Sequence, residues 1–324
     1  MRPIPTAVGL LFLALATALP AIAQPYPSRP VHLIVPYPPG GGVDKAGRIF
    51  GDLLGAKLGQ PIVIENKPGA SSAMGIEYAV KAPPDGYTIL LTNSDGLTML
   101  PNLKKSVPYA VPKDFTFIAR ILLVPLAVSI STKMPFNDMN ELIAYAKANP
   151  DKLRYGSNGV GSGLHLATLL IEKAADIKMT HVPYKGSAAS MNDLMGGHIE
   201  VSVNAVQAVA PLTSSGKIKL LAQTGPKRDP MTPDLPTLAE LGMPSATVAI
   251  FYGIVGPANM PPAVVAKLRQ DILQVLGTPE ARQKFADAGF SLDPLGGDGF
   301  EKFVMDEYRQ MKNLAETEKI TVEE

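Results

Sequence analysis

Two glycine-rich stretches carry the chemistry that is legible in this chain. "PYPPGGGVDKAGR" (36–48) follows the apolar run "VHLIV", and "YGSNGVGSGLHLA" (155–167) repeats the plan of strand, glycine turn and amphipathic helix. A helix that starts after such a turn presents unpaired backbone N–H groups and about half a positive charge. Two such ends facing each other hold a carboxylate or similar anion without any Arg or Lys. Glycine lets the backbone approach a ligand closely and adopt φ > 0. Ser157 and Ser162 add hydroxyl donors, and Ser162 fits an ordinary N-cap equally well. Asp44 reads as structural: it favours the helix dipole and can pair with Arg48 four residues on.

Other chemistries lack their residues. No G-x-x-x-x-G-K-[ST] phosphate loop is present, and Leu164 stands where G-x-G-x-x-G needs its last glycine. Ser162 has Val160 two residues before it, so G-x-S-x-G also fails. The four histidines, His32, His165, His181 and His198, are isolated along the chain and form no metal-ligand spacing. His165, in the first turn after the second glycine loop, is expected to fix that loop by a hydrogen bond, with ligand contact as the other reading. There is no cysteine, which removes thiol nucleophiles, disulfides and thiolate metal sites together. We therefore expect no catalytic residue, no metal and no cofactor.

The elements that must position the loops alternate. The apolar and amphipathic runs predict strands at 31–37, 61–66, 87–93, 126–131, 153–157, 178–184, 199–205, 217–223 and 247–258. Helices are predicted at 44–59, 71–82, 139–150, after the second glycine loop, and at 187–197, 261–277, 279–288 and 298–317. Near-continuous apolar strands in β-α-β order imply a parallel sheet covered on both faces. The strand at 247–258 returns to a sheet begun earlier, which makes two α/β lobes with crossovers near 123–127 and 222–226. A cleft between such lobes is a preferred ligand site.

With 324 residues, 46% of them hydrophobic, the chain can bury two cores. A net charge of +1 with no basic block argues against nucleic acid or an anionic membrane surface as partner. Residues 1–23, with Arg2, a short apolar run and Ala21-Ile22-Ala23, read as a signal peptide cut after Ala23.

Seven stretches taken together resemble one family: "PYPPGGGVDKAGR", "VIENKPGA", "PPDGYTILLTNS", "AKANPDKLRYGSNGVGSGLHLA", "HVPYKGSAASMNDLMGGHIEVSV", "PDLPTLAELGMP" and "FYGIVGPANMP". The chain is similar to the Bug-type extracytoplasmic solute receptors, the periplasmic binding components of tripartite tricarboxylate transporters. The resemblance implies an α/β, two-lobed type II periplasmic-binding-protein fold with a ligand cleft between the lobes. The expected division is 24–124 with 225–324 as lobe 1 and 125–224 as lobe 2. It also implies a small organic carboxylate as ligand, two membrane subunits as transport partners, a periplasmic location and a monomer.

Carried over residue by residue, the implied ligand site takes Tyr37, Pro38, Pro39, Gly40, Gly41 and Gly42 from the first loop. From the second it takes Ser157, Gly161, Ser162, Gly163 and His165, with Asn93, Ser94 and Asn204 completing the pocket. Two positions depart from the family pattern. Asn204 stands where an acid is common, which implies a ligand without an amino group. Phe251 precedes Tyr252-Gly253 where Trp is common, and core packing is its expected role. Lys185 could reach a second ligand carboxylate, though a solvated surface position is its expected place. Two alternatives stay open: an exported α/β enzyme acting on a small carboxylate, and a receptor that docks a signalling partner.

Overall fold

A computed structural model describes residues 26–184 and 187–320. The expected signal peptide, residues 1–23, and Lys185 lie outside the described residues. The chain begins as the hydrophobic pattern predicts, with β1 (Val31–Val35), α1 (Gly42–Leu58), β2 (Ile62–Asn66), α2 (Ala73–Val80) and β3 (Thr88–Asn93). A turn of π-helix over Asp95–Met99 and the short α3 (Leu100–Leu103) lead into β4 (Phe115–Ser131). Next come α4 (Met139–Ala148), β5 (Arg154–Ser157), α5 (Gly163–Ala175), β6 (Thr180–Pro183), α6 (Ser187–Gly196) and β7 (Val201–Ala205). The remainder is α7 (Val206–Val209), β8 (Ile218–Gln223), β9 (Ala249–Pro257), α8 (Pro262–Leu276), α9 (Pro279–Asp287), β10 (Leu292–Gly296) and α10 (Gly297–Thr317).

The strands run in the order β2-β1-β3-β9-β4-β7-β5-β6, with β8 and β10 also paired to β4. The outer parts are parallel, as the βαβ pattern predicts: β1 with β2 and β3, and β5 with β6 and β7. The centre is antiparallel, because β9 returns between β3 and β4. Strand β4 runs through both lobes. Its ladder with β9 ends at Pro125 opposite Ala249, and its ladder with β7 starts at Leu126 opposite Ala205. Pro125 has no N–H to give a ladder, so a change of partner is least costly there. Thr224 joins the two crossing strands: its Oγ1 accepts from Leu126 N at 3.0 Å and donates to Val248 O at 2.5 Å.

Two elements go beyond the sequence expectation. The first eleven residues of β4 extend the predicted strand backwards, and β10 pairs antiparallel with β4. In β10, Pro294 breaks the strand signature, which is tolerated on an edge strand. Helices cover both faces of the sheet, which explains the continuous apolar strands. Leu53 and Leu54 of α1 and Leu268 and Ile272 of α8 pack on one face of the first lobe; Ile76 of α2 and Phe300 and Val304 of α10 pack on the other. Farther along α10, Met311 and Leu314 join the core of the second lobe, so α10 ties the two together.

Candidate ligand-binding site

The loop after β1 and the segment after β3 face the second glycine turn across a cavity of about 400 Å³. Tyr37, Asp95 and Met99 line one side, Asn158 to Leu164 with Ser187 the other, and Asn204, Ala205 and Ile250 lie between them. Apart from Ile250, at the start of the antiparallel β9, these groups come from or beyond the carboxyl ends of strands, where open α/β sheets bind ligands.

The first glycine loop is built around Asp44, which is buried. Its carboxylate accepts from Gly40 N at 2.8 Å, from Arg48 Nε and Nη2 at 3.0 Å, and from Asn66 Nδ2 at 2.9 Å. Asn66 Nδ2 also donates to Tyr37 O at 3.0 Å, closing the base of the loop. Burial alone raises the Asp44 pKa, but the bonds from Arg48, Gly40 and Asn66 outweigh it and hold the carboxylate below its ordinary value. Gly40 is the residue whose φ of +85° requires glycine. Of this loop only Tyr37 lines the cavity; Pro38, Pro39, Gly40, Gly41 and Gly42 are exposed and outside its lining.

The second loop is held by neutral groups. Ser162 caps α5 and accepts from His165 N at 3.3 Å, while His165 Nδ1 accepts from Gly161 N at 3.0 Å. That bond requires the proton on Nε2. Burial and the neighbouring His181 push the His165 pKa down to about 4, so the ring stays neutral. The two imidazoles stack with centroids 4.1 Å apart, and Tyr155 stacks on His181 at 4.9 Å. His181 Nε2 shares a 2.6 Å hydrogen bond with Ser157 Oγ, which also accepts from Gly159 N at 3.1 Å. Two of the four histidines that are isolated in sequence, His165 and His181, are therefore paired in space, behind the wall of the cavity. Gly161, Ser162 and Gly163 form that wall, and Ser157 and His165 support it from within. The first-turn N–H groups of Gly163 and Leu164 have no acceptor among the described residues.

The other expected residues divide in the same way. Asn93 is buried; its Oδ1 accepts from Tyr37 OH at 2.5 Å and its Nδ2 reaches Asp95 Oδ2 at 3.3 Å. Ser94 Oγ accepts from Phe251 N at 3.1 Å, which binds β9 to this corner and leaves none of its side chain on the cavity. Asn204 does face the cavity, with Nδ2 donating to Ser202 Oγ at 2.7 Å. Phe251 is fully buried against Phe300 and Phe303, as a core residue, and its neighbour Ile250 faces the cavity instead.

Asp95 was not singled out from the sequence. Its carboxyl stands 3.2 Å from where a Cβ on Gly163 would lie, and burial raises its pKa. The available signal was an acid directly after Asn93 and Ser94 at the carboxyl end of a strand. Among the described residues no group of three His, Cys, Asp or Glu side chains is placed to hold a metal ion. What the arrangement offers is a bare helix N-terminus above a mainly apolar pocket.

The profile of the tripartite tricarboxylate transporter family receptor, TctC, matches residues 47–320. The chain belongs to this family. It is 31% identical to protein BugT of Bordetella pertussis over 308 residues, covering 94% of this chain and 93% of BugT. Its fold matches a TctC solute binding protein from Polaromonas with a TM-score of 0.79 and 32% identity, over 90% of this chain and 99% of that one. An R. palustris protein solved with adipate matches with a TM-score of 0.77 and 31% identity, over 91% of this chain and 99% of that one. The TctC-family receptor described here thus has the two-lobed α/β fold of periplasmic binding proteins, as the seven motifs imply.

Proposed function

We propose that this TctC-family receptor captures a small organic carboxylate between its two glycine loops and delivers it to the two membrane subunits of a tripartite tricarboxylate transporter. It works in the periplasm, after removal of residues 1–23, as a monomer without a cofactor. Residues 24–124 with 225–324 form one lobe and 125–224 the other, and they close on the ligand about the Pro125 and Thr224 crossings. Closure carries Gly41 and Gly42 onto the ligand, while Gly163 and Leu164 already present their N–H groups to it. The observation that carries this reading is that α5 N-terminus: two unpaired N–H groups on the wall of a cavity. The R. palustris structure with adipate supports a carboxylate as ligand class.

A thermal-shift screen of mono-, di- and tricarboxylates, aromatic ones included, tests it. A ligand at 100 times its dissociation constant adds about 2.7 kcal/mol of stability. No stabilisation by any carboxylate overturns the proposal. The bound ligand, followed by mass spectrometry over hours, stays unchanged; turnover would favour an enzyme instead.

A further inference from the structure

Asp95 is the one carboxyl on the wall of the cavity among the described residues, and no described Lys, Arg or His side chain lines it. Its Oδ2 takes the bond from Asn93, which Tyr37 fixes in turn. Its Oδ1 has no hydrogen-bond partner among the described residues and faces the first turn of α5 across the cleft, beside Gly163. A ligand carboxylate seated on the Gly163 and Leu164 N–H groups therefore sets its next carbon beside Asp95 Oδ1.

What that carbon bears meets an oxygen with open lone pairs. An ammonium or hydroxyl completes a charge-assisted hydrogen bond. A second carboxylate farther along a ligand is buried against a mainly apolar wall with no described cation to offset its charge. Met99, Leu103, Val160, Leu164 and Ile250 make the rest of the wall apolar, which suits an aliphatic or aromatic remainder. Asn204 supplies no acid, as its identity dictates, but Asp95 does, from the opposite side.

We infer that this receptor selects a monocarboxylate with a hydrogen-bond donor, ammonium or hydroxyl, on the carbon next to the carboxylate, and that Asp95 reads the donor. The inference rests on the carboxylate-receptor reading above. It separates this chain from the relative solved with the dicarboxylate adipate.

Calorimetric titration with leucine, 2-hydroxy-4-methylpentanoate, 4-methylpentanoate and adipate tests it. The first two differ from the third only in the donor, and the two distinguish ammonium from hydroxyl. At least one of them binds about tenfold or more tighter than 4-methylpentanoate, and adipate binds weakest. Asp95→Ala levels the three monocarboxylates. A wild-type protein that binds 4-methylpentanoate or adipate as tightly as both donor-bearing acids overturns this inference and leaves the carboxylate reading standing. So does an Asp95→Ala protein that keeps the preference. Binding of none of the four overturns this inference, and the wider carboxylate screen then decides the receptor reading separately. The wild-type ranking is read without any variant, so it stands whether or not Asp95→Ala folds.

Discussion

The two glycine loops share a sequence plan and differ in what holds them. The first carries its own anion: Asp44 takes the Gly40 N–H and is matched by Arg48 and Asn66. The second is held without charge, by Ser162, by a neutral His165 and by the His181–Ser157 pair. An internal carboxylate at the α1 terminus offsets part of the dipole field that would attract a ligand. The cap of α5 is neutral and leaves the Gly163 and Leu164 N–H groups without a described acceptor, with the Asp95 carboxyl beside Gly163 rather than bonded to them. The second loop is therefore the stronger anion seat, and the first is a rigid loop, fixed by a local ion pair. A glycine loop alone does not show how much positive potential it leaves to a ligand; its anchor decides that.

The largest effect expected separates the loops directly. Gly163→Asp places a carboxylate at the α5 terminus, with its Cβ 3.2 Å from Asp95 Oδ1 and 3.3 Å from Met99. Calorimetry should show a loss of ligand affinity of about 100-fold or more. Gly41→Asp has room, since its Cβ meets nothing nearer than Pro38 O at 3.7 Å and its φ is −73°. Its loss should be about tenfold. Equal losses would break the ranking, and unchanged affinity in both would end the two-loop account.

Stability should rank the other way. Asp44→Ala strands the Gly40 N–H, removes one of the two acceptors of Asn66 Nδ2 and takes the carboxylate from Arg48, at a cost of about 2 kcal/mol in urea unfolding. Ser162→Ala removes one cap bond and costs about 1 kcal/mol. A larger loss at Ser162 would reverse the comparison.

Acid should find the second loop. The folded-state pKa of His165 lies at about 4, below the 6.5 of the free side chain. The folded state thus binds fewer protons, and the stability this contributes is fully present above pH 6.5 and is lost as pH falls towards 4. Relative to wild type, His165→Gln should lose less stability between these limits, by an amount on the order of 1 kcal/mol. Parallel curves for the two proteins would show that His165 does not set this limb. The smallest effect belongs to the first loop. Gly40→Ala forces a φ of +85° on a residue with a Cβ that meets nothing within 4 Å. Backbone strain alone should cost about 1 kcal/mol, with little change in affinity.

Much of this molecule follows from local pattern. The prolines and glycines after β1 and β5 can only make turns, and the apolar periods on either side fix strand and helix. The Asp44–Arg48 pair is equally local, being one turn of helix apart. The role expected for His165, as a residue that fixes its own loop, also needed only a four-residue reach. The seven motifs together were enough to point to the family.

Beyond that reach the sequence gives no address. The stacking of His165 on His181, the Tyr37–Asn93 bond and the meeting of Asp95 with Gly163 join segments far apart in the chain. The first two follow from parallel pairing, β5 with β6 and β1 with β3; the third is set by β9 returning antiparallel between β3 and β4 and by β4 changing partners at Pro125. Strand order is a global solution to burying every apolar face at once, and no local window contains it. The sequence by itself determined that there are two helix ends able to hold an anion. Only the tertiary structure decided which of them keeps first-turn N–H groups without an acceptor on the cavity wall, because that depends on the groups that packing brings beside each one.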